Sequence, residues 1–289
     1  MLVSLHDVTV GEPGHDLVLT AFDVSIGDVR TGDAAWPLRH GSRAGVDFLD
    51  AGSITMTLRT RFGVRTREQA DQVASAFMRA WRTDLGAAPG VQTPLLVESG
   101  AKARIVYGRA GRISPPQVDS VLLRQGLAEI IAEFRVLDPL VYGISPSSVS
   151  ISVVPRSLGG IIAPITTPVT TTMTSGTEYR ALRVAGDAPA PLRVIFHGPA
   201  RDPKVTVGGV EVGVVGEIAY DENVIVDGRT RSVHLDDAAQ TPAGHRLSRG
   251  SRLDLLRVEP GTHEVAFTAT DRTGTARATV EATPAYYHL

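Results

Sequence analysis

The sequence contains no cysteine, and aromatic residues make up only 5% of its 289 positions. Without thiolates, disulfides, cysteine-ligated iron–sulfur clusters and thiolate zinc sites are excluded. Lysine occurs only at Lys102 and Lys204, and the other basic residues are arginine. The formal net charge of -2 lacks the basic excess typical of proteins that bind nucleic acid or anionic membrane surfaces.

Long apolar runs are also missing. No stretch approaches the roughly 20 apolar residues that a membrane-spanning helix requires. The start of the chain, Met1–Asp7, has neither the basic residues nor the apolar core of a secretory signal. We therefore expect synthesis in a cytosol, with no membrane segment and no nucleic-acid motif.

The motifs of common enzyme classes are absent as well. Neither a Gly-x-Ser-x-Gly elbow nor a Gly-x-Gly-x-x-Gly phosphate loop occurs. The adjacent acidic pairs Asp221-Glu222 and Asp236-Asp237 are typical of turns, and neighbours on a strand point to opposite faces. The histidines are scattered, without the i, i+4 spacing of a helical zinc site: His6, His15, His40, His197, His234, His245, His263 and His288. We predict no catalytic residue, no cofactor, no metal site and no enzymatic activity.

The stretch Glu129–Gly143 marks a change between two parts of the chain. Its first half alternates, with an apolar face formed by Ile130, Ala132, Phe134 and Val136. This period of two predicts a strand with one buried side. Asp138-Pro139 then predicts the end of the strand, because proline has no amide hydrogen to donate. We therefore predict one domain over residues 1–145, a connecting arm over 146–176 and a second domain over 177–289.

The first domain is predicted to be mainly β with a single helix. The helix is expected over Thr66–Leu85, where Thr66 is a good N-cap and apolar residues recur at helical spacing. Strands are predicted at Phe22–Ile26, Gly52–Phe62, Val91–Val97, Ala103–Arg109, Val118–Gln125 and Leu127–Val136. Residues 27–45 carry Arg30, Arg39 and Arg43 and are expected to form a long, irregular, polar loop.

The connecting arm contains one alternating strand, Val149–Val153, and then a run rich in proline and threonine. We expect it to lie along a neighbouring surface, because a free linker would expose Ile161, Ile162, Ile165 and Val169. Short strands separated by turn residues follow, which predicts a β-sandwich or jelly roll. These strands are Leu192–Phe196, Val205–Val207, Gly216–Tyr220, Asn223–Val226, Ser232–Leu235, Leu253–Val258, His263–Thr270 and Thr275–Glu281.

Several phrases, in this order, resemble siphophage distal tail proteins, minor tail proteins of the tail tip and baseplate hub. They are the Phe-x-x-x-Asp-Pro-x-x-Tyr-Gly corner at Phe134–Gly143, the run Phe196–Pro199 followed by Asp202-Pro203, the turn Asp227–Val233, and Pro260-Gly261 before His263–Phe267. The resemblance implies a split-barrel belt domain with one helix, followed by a galectin-like β-sandwich. Loop 30–45 has no counterpart in it, so its role stays open.

The resemblance also implies a function. Six copies would form a hexameric ring in the virion, at the distal end of the phage tail. The ring would join the tail tube to the adsorption apparatus, contact other tail-tip proteins and carry peripheral host-binding components. We expect the strands Gly52–Phe62 and Leu127–Val136 to be open edges of the first domain's sheet and to pair across copies.

A different class of function is left open by the residues. The chain would then be a carbohydrate-binding or adhesin module of two β domains. Stacking on a host-surface glycan needs exposed aromatic side chains, for which Tyr220, Tyr286 and Tyr287 are the candidates. An accessory domain of a glycan hydrolase has less support, because no convergent carboxylate pair is found.

Overall fold

The structure is a computed structural model that describes residues 1–12, 14–61, 66–117, 120–156, 174–176, 178–271 and 274–289. It divides into two compact units. The first unit comprises Met1–Ile144 and Tyr286–Leu289, and the second comprises Ser145–Ala285. The described residues are mainly β, as predicted.

The first unit is built from eleven strands and two helices among the described residues. They are β1 (Leu2–Leu5), β2 (Val8–Val10), β3 (Leu17–Ser25), β4 (Val29–Arg30), β5 (Ala34–Ala35), β6 (Ser42–Arg43), β7 (Phe48–Leu49), β8 (Gly52–Thr60), α1 (Arg67–Trp81), β9 (Thr93–Ser99), β10 (Lys102–Ser114), α2 (Val121–Arg124) and β11 (Glu129–Gly143).

The main sheet of this unit is a nearly closed barrel. Its strands follow the order β2-β1-β9-β10-β11-β8-β3. The two ends approach each other at Gly11, whose amide donates to the Leu17 carbonyl at 3.1 Å and whose carbonyl accepts from the Leu19 amide at 3.2 Å. A Cβ on Gly11 would lie 2.1 Å from the Met1 carbonyl oxygen, so this close approach requires glycine.

Helix α1 covers the core of the first unit. Thr66 caps it by accepting a hydrogen bond from the Gln69 amide at 3.2 Å, as the sequence predicted. Phe77 and Trp81 are buried, and the Trp81 ring meets Phe134 edge-on at 6.4 Å. The helix ends at Trp81, earlier than the predicted Leu85, and turns lead from there to Gly86.

Two predictions in this unit were wrong. The predicted strand Val118–Gln125 contains the short helix α2 instead, because the Ser120 hydroxyl accepts from the Leu123 amide at 3.1 Å and starts a helical turn. Strand β11 does not stop at Asp138-Pro139 but continues to Gly143. Its pairing with β10 shifts between Val136 and Val141, so the proline sits in an irregularity where no ladder bond is needed.

Among its described residues, the second unit contains the remaining strands and two 3-10 turns. The strands are β12 (Ser147–Ser152), β13 (Val154–Arg156), β14 (Thr174–Gly176), β15 (Glu178–Val184), β16 (Ala190–His197), β17 (Ala200–Val207), β18 (Val210–Gly213), β19 (Glu217–Ile218), β20 (Asn223–Asp227), β21 (Ser232–Leu235), β22 (Arg257–Val258), β23 (Gly261–Thr270), β24 (Arg277–Ala282) and, where the chain leaves this unit, β25 (Ala285–Tyr286). The 3-10 turns are Gly244–Arg246 and Leu253–Leu255.

This unit is a two-sheet sandwich, as predicted. One sheet has the order β12-β24-β16-β20-β21, and the other has the order β15-β23-β17-β18. Both contribute to one core, in which the Phe196 and Phe267 rings lie 6.4 Å apart. Part of the predicted strand Leu253–Val258 is a 3-10 turn, and only Arg257–Val258 is extended.

The segment predicted as a connecting arm contributes to this sandwich. Strand β12 pairs with β24, from Ser147 opposite Ala282 to Ser152 opposite Arg277. Residues 147–152 are therefore an edge strand of the second unit. The proline- and threonine-rich residues 157–173 lie outside the described residues, and so do Phe62, Val118 and Asp119 of the predicted strands.

Candidate assembly surface of the first unit

The strands predicted to be open edges lie inside the sheet. Strand β8 pairs with β11 on one side and with β3 on the other, and β11 also pairs with β10. The prediction that Gly52–Phe62 and Leu127–Val136 pair across copies was therefore wrong. The end strands are β2 and β3, and among the described residues no strand covers the outer side of β3 beyond Leu19.

Residues 27–50, which we call the arm, connect β3 to β8. They form two successive antiparallel ribbons rather than the irregular loop that the sequence suggested. Strand β4 pairs with β7, and β5 pairs with β6. The ribbons meet at two glycines: a Cβ on Gly45 would lie 2.0 Å from the Gly32 carbonyl oxygen. The Asp33 carboxylate accepts from the Gly45 amide at 2.9 Å and holds this crossing together.

The arm has no core of its own, since every residue from 27 to 48 is exposed. Its large apolar side chains nevertheless include Val29, Trp36, Leu38, Val46 and Phe48, and Leu38 is 97% exposed. An isolated two-stranded ribbon is at best marginally stable in water. Exposed apolar side chains concentrated in one segment are typical of a surface that binds a partner.

The end of the arm is cationic. Residues 35–43, which we call the tip, read AWPLRHGSR and contain no carboxylate. Arg39 and Arg43 are exposed. Nearer the base, the Arg30 guanidinium lies over the Phe48 ring at 5.8 Å. The sequence drew attention to these three arginines, but it missed Trp36 and Leu38, whose hydrophobicity alone did not reveal their exposure.

A groove in the same unit has complementary properties. It has a cavity volume of about 520 Å³ and lies between β2, the following turn and α1. Its lining consists of Asp7, Val8, Thr9, Val10, Gly14, His15, Asp16, Leu17, Val73, Ala76 and Phe77, and we call it the α1 groove. The apolar side chains form its wall, and Asp7 and Asp16 are exposed.

A second concavity lies at the other end of α1 and carries the opposite charge. Its cavity volume is about 500 Å³, and its lining includes Arg82, Leu85, Arg109 and Arg112. The Arg109 guanidinium donates to the Val91 carbonyl at 3.0 Å and to the Ala88 carbonyl at 3.1 Å. Asp84 also lines this concavity and bonds to His6 and Thr93. Three arginines beside one carboxylate make this concavity cationic.

The histidines and acidic pairs do not converge on a site within the described residues. His197 bonds to Asn223 at 2.9 Å and to Thr279 at 3.0 Å, and burial lowers its pKa below the ordinary value. Asp237 accepts bonds from the amide and the hydroxyl of Thr241, which lowers the pKa of its carboxyl. These bonds are those of packed side chains and turns.

The three candidate tyrosines are divided between the two units. Tyr220 is 81% exposed at a turn of the second unit. Tyr286 packs against the core of the first unit, where the Arg104 guanidinium lies 3.7 Å from the centre of its ring. Tyr287 is half exposed. Of these, Tyr220 offers the most free aromatic surface.

Within the described part of the chain, no helix has the length and apolar character needed to cross a membrane.

Comparisons with known proteins identify solved structures with a similar fold. No family model matches the sequence, and no significant match to a curated protein is found. The Dit protein of phage SPP1, described as a paradigm of the hub adsorption apparatus in phages that infect Gram-positive bacteria, matches with a TM-score of 0.57 and 13% identity, covering 93% of each chain.

Two structures of the phage P2 baseplate in its activated conformation also match. The structure with Ca gives a TM-score of 0.53 at 9% identity, covering 94% of this chain and 91% of that chain. The structure with Sr gives 0.53 at 10% identity, covering 98% and 96%. The chain has the fold of these hub and baseplate proteins along nearly its whole length. The mainly β fold of a phage hub or baseplate protein, which the resemblance to distal tail proteins implies, is thereby confirmed.

Proposed function

We propose that this chain is a structural protein of a siphophage tail tip, which forms a closed ring in the virion. The shared fold with phage hub and baseplate proteins supports this class of function. The observation that carries the proposal is the arm, a pair of ribbons that is exposed at every residue from 27 to 48 and carries large apolar side chains. Such a segment needs a partner surface to be stable.

The arm also favours a particular kind of assembly. The arm extends from one end strand of the sheet. If it packs against a different patch of the next copy, each copy contributes two unlike surfaces to the contacts. Contacts between two different patches are heterologous, and they generate a ring when the rotation closes. Six copies would match the family that the sequence resembles.

In this proposal the ring joins the tail tube to the adsorption apparatus, and the second units carry peripheral host-binding components. The role is structural and needs no catalysis. We also propose that the two units fold independently. Because β12 pairs with β24, a fragment of the second unit should begin near Ser145, since one that begins at residue 177 would lose this edge strand.

The test is the oligomeric state of the full chain, measured by light scattering and negative-stain electron microscopy. We expect rings with a central hole. The double variant Trp36→Ala/Leu38→Ala should shift the population to monomers without changing the thermal melt, because both side chains are exposed. Tyr220→Ala is the control, since it removes a large, 81% exposed aromatic side chain from the second unit. Monomers of the unaltered chain at all accessible concentrations would refute the ring.

A further inference from the structure

We propose that the tip of the arm of one copy docks in the α1 groove of the next copy. This inference rests on the proposed ring and specifies the surface through which its copies meet. It follows from the exposure of the tip, the charges of the two surfaces and the contrast between the α1 groove and the cationic concavity.

The tip does not occupy the groove of its own chain. Trp36 is 44% exposed and Leu38 is 97% exposed, so neither is inserted in a cavity here. Strands rise about 3.3 Å per residue, so ten residues of ribbon reach about 30 Å at most. That reach is comparable with the width of a small domain and allows contact with an adjacent copy.

The groove and the tip have matching chemistry. The groove presents the apolar side chains of Val8, Val73 and Phe77, against which an indole and a leucine side chain would be removed from water. A cavity of about 520 Å³ is large enough for a few side chains, since ligand sites of about 300–1,000 Å³ hold drug-sized groups.

The charges at the rim are complementary as well. Asp7 and Asp16 are exposed carboxylates, and neither forms an ion pair within the described part of the chain. His15 is the other titratable group in the lining. The tip brings Arg39 and Arg43 without any carboxylate, so its approach adds attraction at both carboxylates.

The second concavity distinguishes this arrangement from the alternative. Its volume is similar, but Arg82, Arg109 and Arg112 line it and would repel the arginines of the tip. Charge therefore selects the α1 groove from two cavities of similar size. Docking in the α1 groove also makes the contact head-to-tail, because the arm and the groove are different patches of the chain.

Site-specific crosslinking tests this contact in the full chain, whose lack of cysteine makes introduced thiols unique. Leu38→Cys chains are mixed with Ala76→Cys chains and treated with a short thiol crosslinker. Docking holds the two positions at an effective concentration of about millimolar, so the dimer should form about a thousandfold faster than by collision at micromolar concentration. Each single variant alone reports the background.

The matched control mixes Leu38→Cys with Leu85→Cys, which is 77% exposed and lines the cationic concavity. We expect that pair to crosslink at the background rate. If rings form but Leu38→Cys crosslinks with Leu85→Cys, or with neither partner, the docking site is wrong and the ring stands. If no rings form, both proposals fail.

A charge exchange provides a second test. Arg39→Asp/Arg43→Asp in the tip should disrupt the rings, and so should Asp7→Arg/Asp16→Arg in the groove. The four substitutions together should restore most of the ring fraction if the charges face each other. Unchanged thermal melts confirm that each variant is folded. Rings that survive either double reversal, or a quadruple variant no better than the doubles, would overturn the assignment.

Discussion

The indole nitrogen of Trp81 donates a hydrogen bond to the Gly111 carbonyl oxygen, 3.1 Å away. This bond ties the last turn of α1 to the irregular part of β10, where pairing with β11 shifts register between Ala110 and Ile113. A Cβ on Gly111 would lie 2.6 Å from the Glu133 carbonyl oxygen, so the strands are tightly apposed there. The helix is thus fixed by packing and by one directional bond.

Substitutions of Trp81 should separate the contributions of packing and of the hydrogen bond to the stability of the first unit. Trp81→Ala should destabilise the first unit by about 3–5 kcal/mol, because it leaves a large cavity. Trp81→Phe keeps most of the packing, so the loss of the bond should account for about 1 kcal/mol of its cost. Arg79→Ala, on the exposed face of α1, should cost under about 0.5 kcal/mol. Urea unfolding measures all three, and equal small effects would show that this helix face does not support the core.

The continuation of β11 past its proline also depends on named contacts. Asp138 accepts hydrogen bonds from the Leu140 amide at 3.3 Å and from the Tyr142 hydroxyl at 2.8 Å. Tyr142 is fully buried. The carboxylate therefore stabilises the irregular backbone from which the strand resumes pairing with β10.

We expect Tyr142→Phe to destabilise the first unit by about 1–3 kcal/mol, because the Asp138 carboxylate would lose a partner in a partly buried place. Asp138→Asn retains an acceptor and should cost less than Asp138→Ala. Chemical unfolding of the three variants gives this order. If Tyr142→Phe is neutral, the hydrogen bond does not hold the irregularity.

The sequence predicted those features that depend on local periodicity and capping. Thr66 capped the helix where expected, and the strand Ser232–Leu235 has the predicted bounds. It failed where one side-chain contact decides the backbone, as at Asp138 and Ser120. The prediction that Gly52–Phe62 is an edge strand was also wrong, because a regular strand has the same sequence pattern at the edge and in the middle of a sheet. The ribbons of the arm were not predicted, because they depend on a close backbone approach between Gly32 and Gly45. A contact between residues so far apart leaves no periodic pattern in the sequence.

The second unit should lose stability as the pH falls below about 6.5, the pKa of an unperturbed histidine. Burial lowers the pKa of His197 below that value and Arg277 acts in the same direction, whereas the hydrogen bond that His197 donates to the Asn223 side-chain oxygen and the nearby Asp236 oppose the shift. The unfolded chain then binds a proton that the folded chain resists, so stability is complete above the unfolded pKa and falls as the pH approaches the folded one.

His197→Gln should reduce this pH dependence, since glutamine does not titrate. Thermal melts of the second unit's transition between pH 7.5 and pH 5 measure it, with His245→Gln as a control at a histidine on an exposed turn. An identical pH profile for the unaltered chain and His197→Gln would refute the linkage.

The crossing of the arm at Gly32 and Gly45 should be required for its shape. The Cβ of Gly45→Ala would stand 2.0 Å from the Gly32 carbonyl oxygen, and the obstacle is backbone, so the two ribbons must separate. The Gly45 amide would then leave the Asp33 carboxylate. We expect faster hydrogen exchange across residues 32–46 and loss of rings. The free energy of unfolding of the first unit should change by less than about 0.5 kcal/mol, because the arm contributes no buried side chains to the core.

The control is Ala44→Val, which adds more atoms at the adjacent exposed position and should leave hydrogen exchange and assembly unchanged. Intact rings with Gly45→Ala would show that assembly does not depend on the geometry of the arm.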